Sequence, residues 1–258
     1  MSTGASTPID LERAKSVGEL IADAVRCYRL YPGLFAQITL AVVVPYALIV
    51  LLINGRGLLS QGSGGASAAL LVLVLDLLLV GPLISALHVN AVAEIGQRRP
   101  PQVSAVLARG ARVLPIVAAA QIVAAFGTGL GFILLIVPGV LLVARWAVVA
   151  QAAALEDVNW IGALRRSGEL TAACYLHVLG MLITVGVINV AITWIGTALS
   201  GAGSGGSALA VIVGIVFEMV TLSFSALTSA MLYFDLRARK RAPAVADSSE
   251  PGGGGGRP

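Results

Sequence analysis

The sequence predicts an all-α, polytopic membrane protein with six transmembrane helices and interfacial amphipathic helices. Three observations predict this class. Of the 258 residues, 57% are hydrophobic and only 12% are charged, whereas a soluble domain carries about 25% charged residues. The apolar residues form runs that are long enough to cross the roughly 30 Å of hydrocarbon in a bilayer. The basic residues are concentrated on one side of the predicted bundle.

The two ends of the chain differ in composition from its middle. We predict a disordered segment at residues 1–15, which are polar and lack the apolar run that follows the basic start of a signal peptide. The six-helix domain then covers residues 16–241. We predict a disordered, Gly-rich tail at residues 242–258, because it contains an unbroken glycine run at 252–256.

The apolar runs assign the spans in chain order. The first, second, fifth and sixth spans are predicted at residues 34–53, 68–93, 175–199 and 209–234. The apolar block at 113–155 is too long for one helix and is expected to hold the third and fourth spans. Its turn has two candidate positions, the glycine-rich 127–131 and the pair Pro138-Gly139. Alternatively, Pro138 kinks the fourth helix.

The distribution of basic residues predicts the orientation. With six spans, fifteen of the 17 Lys and Arg residues fall on the side that holds both termini. Arg56 falls on the opposite side, and Arg145 falls within a span. Because cytoplasmic loops are enriched in Lys and Arg, we predict a protein of the bacterial cytoplasmic membrane with both termini in the cytoplasm.

Three segments on the basic side have the apolar periodicity of amphipathic helices, at residues 17–28, 103–114 and 160–170. Each of them precedes a pair of predicted spans. One interpretation is a threefold repeat of an interfacial helix followed by a transmembrane hairpin. The other is convergent patterning, because any chain that re-enters a membrane benefits from such a helix.

Three ionisable residues, Asp76, Arg145 and Glu218, fall within the apolar spans. Each would cost about 2.5–3.5 kcal/mol at the centre of a bilayer. One hypothesis places Asp76 and Glu218 on either side of Arg145, in a polar site that binds an ion or a head group or relays a proton. The alternative is structural: Arg145 pairs with one acid or extends to the membrane surface.

Other polar residues favour structural roles. Gln121, Gln151 and Asn189 are expected to form hydrogen bonds between helices, and Gly127 and Gly131 to pack helices within the chain. Glu156 and Asp157 are expected to pair with Arg165 or Arg166.

No catalytic, cofactor-binding or metal-binding pattern is recognisable. Cys27 and Cys174 are predicted to be reduced thiols, and His88 and His177 lack the spacing of metal ligands. The nucleophile motif GxSxG is absent, and the glycine-rich stretches lack the Lys-Ser/Thr pair of a phosphate-binding loop. We therefore predict a non-enzymatic protein.

Four segments together resemble a known family: residues 16–31, IVPGVLLVARW at 136–146, ALRRSGELT at 163–171, and LYFDLRARK at 232–240. They are similar to the membrane domain of glycerophosphoryl diester phosphodiesterases and of related uncharacterised bacterial inner-membrane proteins. The resemblance implies a six-helix membrane bundle. It does not imply phosphodiesterase activity, which belongs to a separate soluble barrel domain in that family.

These observations favour a scaffold or accessory role in lipid or envelope processes. The expected partners are the lipid bilayer and a membrane protein, and not nucleic acid. The alternative function is a small transporter or permease that uses Asp76, Arg145 and Glu218. A membrane-embedded lipid enzyme is a third hypothesis. The sequence predicts neither a substrate nor an oligomeric state.

Overall fold

The computed structural model describes residues 9–54, 66–99, 101–201 and 208–248. These residues form α-helices and one π-helical turn, with no strand among them. The elements are α1 (Val17–Leu30), α2 (Pro32–Asn54), α3 (Ala66–Leu75), a π-helical turn (Asp76–Val80), α4 (Gly81–Gly96), α5 (Val103–Leu134), α6 (Ile136–Arg145), α7 (Val149–Leu155), α8 (Trp160–Thr171), α9 (Tyr175–Gly201) and α10 (Ala208–Ser248). The predicted all-α class is confirmed.

Six helical segments in the described residues are long and apolar enough to cross a membrane. They are Pro32–Val50, Leu70–Gly96, Val103–Leu134, Ile136–Leu155, Tyr175–Leu199 and Val213–Arg241. The prediction of six transmembrane helices is therefore confirmed. The second of these segments contains the π-helical turn, and the fourth combines α6 with α7.

The turn between the third and fourth spans lies at Leu135, between the two positions that the sequence suggested. Leu135 is extended, with φ −163° and ψ 149°, and its N–H donates to the carbonyl oxygen of Gly131. Pro138 lies in the first turn of α6. Its missing N–H costs nothing there, because the first N–H groups of a helix have no partner within the helix.

Glycines allow the hairpin of α5 and α6 to close tightly. A Cβ atom on Gly131 would lie 3.0 Å from the Cα atom of Gly139, and one on Gly127 would lie 2.5 Å from the ring of Trp146. The GxxxG pair of α5 is thus covered by α6 and by Trp146 of the same chain. The prediction that these two glycines pack helices within the chain is confirmed.

The amphipathic segments at 17–28 and 160–170 form the separate helices α1 and α8. Ser16 and Glu19 make a capping box at the start of α1, and the side chain of Asn159 accepts a hydrogen bond from Gly162 N–H at the start of α8. The backbone N–H of Ser16 and then the guanidinium of Arg13 lower the pKa of Glu19 to about 2.

The third predicted amphipathic segment, 103–114, is not a separate helix. It is the first part of α5, which runs without interruption from Val103 to Leu134 and contains Pro115. Two of the three predicted units therefore begin with a separate helix and one does not. The reason is local, because Pro115 follows this segment directly and proline is tolerated within membrane helices.

The π-helical turn has a local cause in the sequence. Pro82 has no N–H to donate to the carbonyl oxygen of Leu78, and its ring would clash with that carbonyl group in a regular α-helix. The helix widens instead, so that the N–H of Gly81 donates to the oxygen of Asp76, five residues earlier. This wider turn positions the side chain of Asp76.

Most buried side chains lie towards one end of the bundle, which we call the basic end. It consists of α1, α7, α8, the second half of α4 with residues 97–99, residues 101–112 and residues 235–241 of α10. Its core joins side chains from all these elements and from α2 and α9; the fully buried ones include Leu20, Phe35, Leu87, Val148, Met181 and Tyr233. Towards the opposite end the helices expose large apolar side chains, as expected for surfaces that face lipid.

Parts of the two predicted end segments lie within the described residues. In residues 9–15, Ile9 and Lys15 are buried and Leu11 packs against the core. At the other end of the chain, α10 continues to Ser248. Residues 1–8 and 249–258, the rest of these two predicted segments, lie outside the described residues.

Candidate functional site

The structure brings two of the three predicted intramembrane residues together. Asp76 in the π-helical turn and Glu218 on α10 interact electrostatically with each other, and both interact with Tyr46 on α2. The hydroxyl of Tyr46 donates to the carbonyl oxygen of Val72 at 3.2 Å. Asp76 is half-buried and Glu218 is exposed. Within the described ranges, neither carboxylate takes part in an ion pair.

Arg145 lies elsewhere. Its guanidinium group lies against Gly168 of α8, with Nη1 3.5 Å from the hydroxyl of Tyr175 at the start of α9. Neither Asp76 nor Glu218 interacts electrostatically with it. The structure therefore does not place Arg145 between the two acids. The acid pair and Arg145 are two separate features.

A carboxylate with three hydrogen-bond partners is that of Asp235, whose side chain is fully buried on α10. Its Oδ1 accepts a hydrogen bond from the backbone N–H of Lys15 at 2.6 Å, and its Oδ2 accepts from His177 Nε2 at 2.9 Å and Arg239 Nε at 2.8 Å. The Nη2 atom of Arg239 also donates to the carbonyl oxygen of Lys15 at 2.5 Å. Asp235 thus joins the N-terminal segment, α9 and α10.

Lys15 extends this network to α1. Its Nζ atom lies 2.6 Å from Asp23 Oδ2 and also donates to the carbonyl oxygen of Asp10. Because both Lys15 and Asp235 are buried, these contacts hold the segment before α1 in place. We call the set of Lys15, Asp23, His177, Asp235 and Arg239 the Asp235 network.

A second network surrounds Glu156, directly after α7. Its Oε1 accepts from Tyr233 OH at 2.8 Å, and its two oxygens lie 2.9 and 2.8 Å from Arg166 Nε. The predicted pairing of Glu156 with a basic residue of α8 is confirmed, and the partner is Arg166. Glu169 pairs with Arg165 at 2.9 Å, and the hydrogen bond from Arg165 lowers its pKa. The Glu156 network joins the end of α7 to α8 and α10.

A third polar group lies on α4. Glu94 pairs with Arg109 of α5 at 2.5 Å. His88 is fully buried; its Nδ1 lies 2.8 Å from the carbonyl oxygen of Ile84, and its ring stacks on Phe35 with 5.2 Å between centroids. These contacts pack α4 against α2 and α5.

Hydrogen bonds of α10 also link helices within the membrane-spanning region. Asn189 Nδ2 of α9 donates to Ser225 Oγ of α10 at 2.6 Å, and Thr39 Oγ1 of α2 lies 2.7 Å from Ser223 Oγ of α10. The predicted role of Asn189 between helices is confirmed. Gln151 is buried on α7, and its Oε1 has no hydrogen-bond partner in the described ranges.

Cys27 and Cys174 are both free thiols. Neither Cys27 nor Cys174 is in a disulfide. Burial, followed by the charge of Asp23, raises the pKa of the Cys27 thiol to about 12. Over the described part of the chain, no group of three His, Cys, Asp or Glu residues is arranged to hold a metal ion.

The Asp235 network is the main feature that reasoning from the sequence missed. One signal for it was present, since Asp235 and Arg239 are four residues apart on a predicted helix, a spacing that favours ion pairs. The contribution of Lys15 had no such signal, because it comes from more than 200 residues away in the chain.

Comparisons with protein-family models, with curated proteins and with solved structures find no match to this chain.

Proposed function

We propose that this chain is a non-catalytic integral protein of the bacterial cytoplasmic membrane, with both termini in the cytoplasm and a scaffold or accessory role in lipid or envelope processes. The observation that carries this proposal is the Asp235 network. A fully buried carboxylate that joins the N-terminal segment to α9 and α10 makes the basic end a rigid unit. Such rigidity favours a scaffold over a transporter, because a transporter must change conformation.

The charges of the basic end support the same proposal. Most acids of this end are paired with bases, so few remain for chemistry. Several exposed arginines take part in no ion pair in the described ranges: Arg29, Arg99, Arg112 and Arg241. A rigid surface with surplus guanidinium groups is suited to an acidic protein partner.

The resemblance to the membrane domain of glycerophosphoryl diester phosphodiesterases also supports this proposal. The segments that carry it contribute to the described networks, since 232–240 includes Asp235 and 163–171 includes Arg166. We therefore expect the bundle to act together with a catalytic protein and to have no catalytic activity of its own.

Photo-crosslinking in cells tests the scaffold role. A benzophenone amino acid is introduced in place of Arg29 or Arg112 at the basic end, and in place of Val187 on α9, which is 64% exposed in an apolar region. The proposal predicts a discrete protein adduct of the same mass from both basic-end positions and none from Val187. If neither basic-end position gives a protein adduct, the scaffold role is contradicted.

A second candidate function is favoured by the proximity of Asp76, Glu218 and Tyr46. Two carboxylates near each other within apolar spans can share a proton or bind a cation, so the chain could act as a small transporter or permease. Arg145 is not part of this candidate site. This function requires that the acid pair becomes accessible to water from each side of the membrane in turn.

A further inference from the structure

Arg145 is the last residue of α6, and its backbone is fixed by α8. Its carbonyl oxygen accepts hydrogen bonds from Ser167 Oγ at 2.9 Å and Thr171 Oγ1 at 3.2 Å. These bonds satisfy a carbonyl group that the break before α7 leaves without a helical partner. They also determine where the side chain begins, directly beside α8.

The guanidinium group of Arg145 packs against α8 at Gly168. A Cβ atom on Gly168 would lie 3.1 Å from each of the Nε, Cζ and Nη2 atoms of Arg145. A Cβ atom at residue 168 would require the guanidinium group to move away by a few tenths of an ångström, so this close approach to the helix backbone depends on the glycine. On its other side, Nη1 lies 3.5 Å from the hydroxyl of Tyr175.

No carboxylate among the described residues neutralises this positive charge. Arg145 is exposed and pairs with no carboxylate in the part of the chain that the structure describes. Glu169 directly follows Gly168 in the sequence, but its carboxylate pairs with Arg165 and Lys240 and not with Arg145. By contrast, Arg166 on the same helix has Glu156 as its partner.

The position of this charge relative to the apolar spans indicates what it binds. Tyr175 is the first residue of the fifth candidate span, and Leu176 beside it is 87% exposed. The guanidinium group therefore lies at the level where the fifth candidate span begins. Arg145 is itself the tenth of the twenty residues of the fourth candidate span, so its side chain reaches this level from within a span, as the long stem of arginine allows. Lipid phosphate groups are the abundant anions where spans begin, and guanidinium binds phosphate through two parallel N–H bonds.

We propose that Arg145 and the hydroxyl of Tyr175 bind the phosphate group of an anionic phospholipid. The contact with Gly168 fixes the position of the guanidinium group. Arginine has five N–H donors, and those that do not bond to Tyr175 are free to donate to phosphate oxygens. The hydroxyl of Tyr175 supplies a further donor. This site is independent of the scaffold role, because it requires only that the bundle lies in a membrane.

The test measures binding of phosphatidylglycerol to the full chain in a zwitterionic detergent, by native mass spectrometry. We expect Arg145→Gln to weaken binding at least tenfold. Gly168→Ala keeps the charge but displaces the guanidinium group, and we expect it to weaken binding severalfold. Gly168→Ala keeps the test valid if Arg145→Gln fails to fold, because the flexible side chain of Arg145 can move away from the new methyl group and leave the fold intact. The matched control is Arg112→Gln, another exposed arginine of this end without an ion pair, for which we expect a change within twofold.

The source of the phosphate is tested separately with inorganic phosphate as a competitor. If the site binds a lipid, 10 mM phosphate leaves the bound phosphatidylglycerol largely in place. The proposal is overturned if inorganic phosphate displaces the lipid at equal concentration, if Arg145→Gln and Gly168→Ala both bind as the unaltered protein does, or if Arg112→Gln weakens binding as much as Arg145→Gln.

Discussion

The carboxylate of Asp235 accepts a hydrogen bond from the backbone N–H of Lys15, with 2.6 Å between the nitrogen and Oδ1, although the two residues are 220 positions apart in the chain. The contact joins the segment before the first span to the end of the last span. Both described ends of the chain are therefore at the same end of the bundle, which requires an even number of crossings. The six candidate spans satisfy this requirement.

Replacing Asp235 with asparagine is expected to destabilise the protein by about 2 kcal/mol, because bonds to charged partners are worth about 1.5–3 kcal/mol each and an amide can replace only part of them. The midpoint of thermal unfolding in detergent should fall. Amide hydrogen exchange at residues 10–16 should increase selectively, since the N-terminal segment loses its main anchor.

Asp157→Asn is the matched control, because Asp157 is exposed and forms no ion pair in the described part of the chain. It should leave both measurements unchanged. Equal hydrogen exchange at residues 10–16 in the Asp235→Asn variant and the unaltered protein would show that the Asp235 network does not hold this segment.

Gly131 and Gly129 on α5 offer a matched pair that tests the hairpin of α5 and α6. Gly131→Ala places a methyl group 3.0 Å from the Cα atom of Gly139 and 2.9 Å from Leu142, so we expect a loss of about 1–3 kcal/mol of stability. Gly129→Ala meets nothing within 4 Å and should be neutral or stabilise by up to about 1 kcal/mol, because alanine favours helix. Unfolding midpoints measure both. Two variants of equal stability would contradict the close approach of α5 and α6.

The two cysteines should differ in reactivity. The thiolate is the reactive form, and burial keeps the Cys27 thiol protonated until the pH approaches its pKa of about 12. At pH 8 the folded protein should therefore react with maleimide at the half-buried Cys174 and not at Cys27. Mass spectrometry of the labelled peptides measures this difference. After unfolding in dodecyl sulfate, both should react, and rapid labelling of Cys27 in the folded protein would contradict the packing of α1.

The acid pair should show energetic coupling. Asp76→Asn and Glu218→Gln each remove one of two carboxylates that repel each other, so the double variant should gain less than the sum of the single effects. We expect a coupling of about 0.5–1 kcal/mol in a double-mutant cycle of unfolding free energies. Effects that add within about 0.3 kcal/mol would show that the two carboxylates do not interact.

The fold could be predicted largely from the sequence because hydrocarbon imposes long apolar helices. All six spans, the helices α1 and α8 and the pairing of Glu156 with α8 follow from local pattern. The turn at Leu135 could not be located, because it depends on how Gly131 and Gly139 meet. The burial of Lys15 could not be predicted either, since Lys15 and Asp235 are brought together only by the tertiary fold.

The candidate site was less accessible to sequence reasoning. Asp76, Arg145 and Glu218 were identified because they lie in apolar runs of the sequence. Such a run indicates how deep a residue lies along its own helix, but not which neighbouring helix it faces. The structure pairs the two acids and directs Arg145 towards Gly168 and Tyr175. The separation of Arg145 from the two acids depends on the break between α6 and α7, which no residue pattern indicates.

We infer that the charges hold a rigid membrane bundle together and do not line a path through it. Cysteine accessibility tests this inference. In a background with Cys27 and Cys174 replaced by alanine, single cysteines at positions 76 and 218 are exposed to an impermeant maleimide from each side of sealed vesicles. We expect no labelling at either position from the side of the basic end, because the packed core of that end lies between them and water. Labelling of the same position from both sides would show that the bundle opens in turn to each side and would favour a transporter.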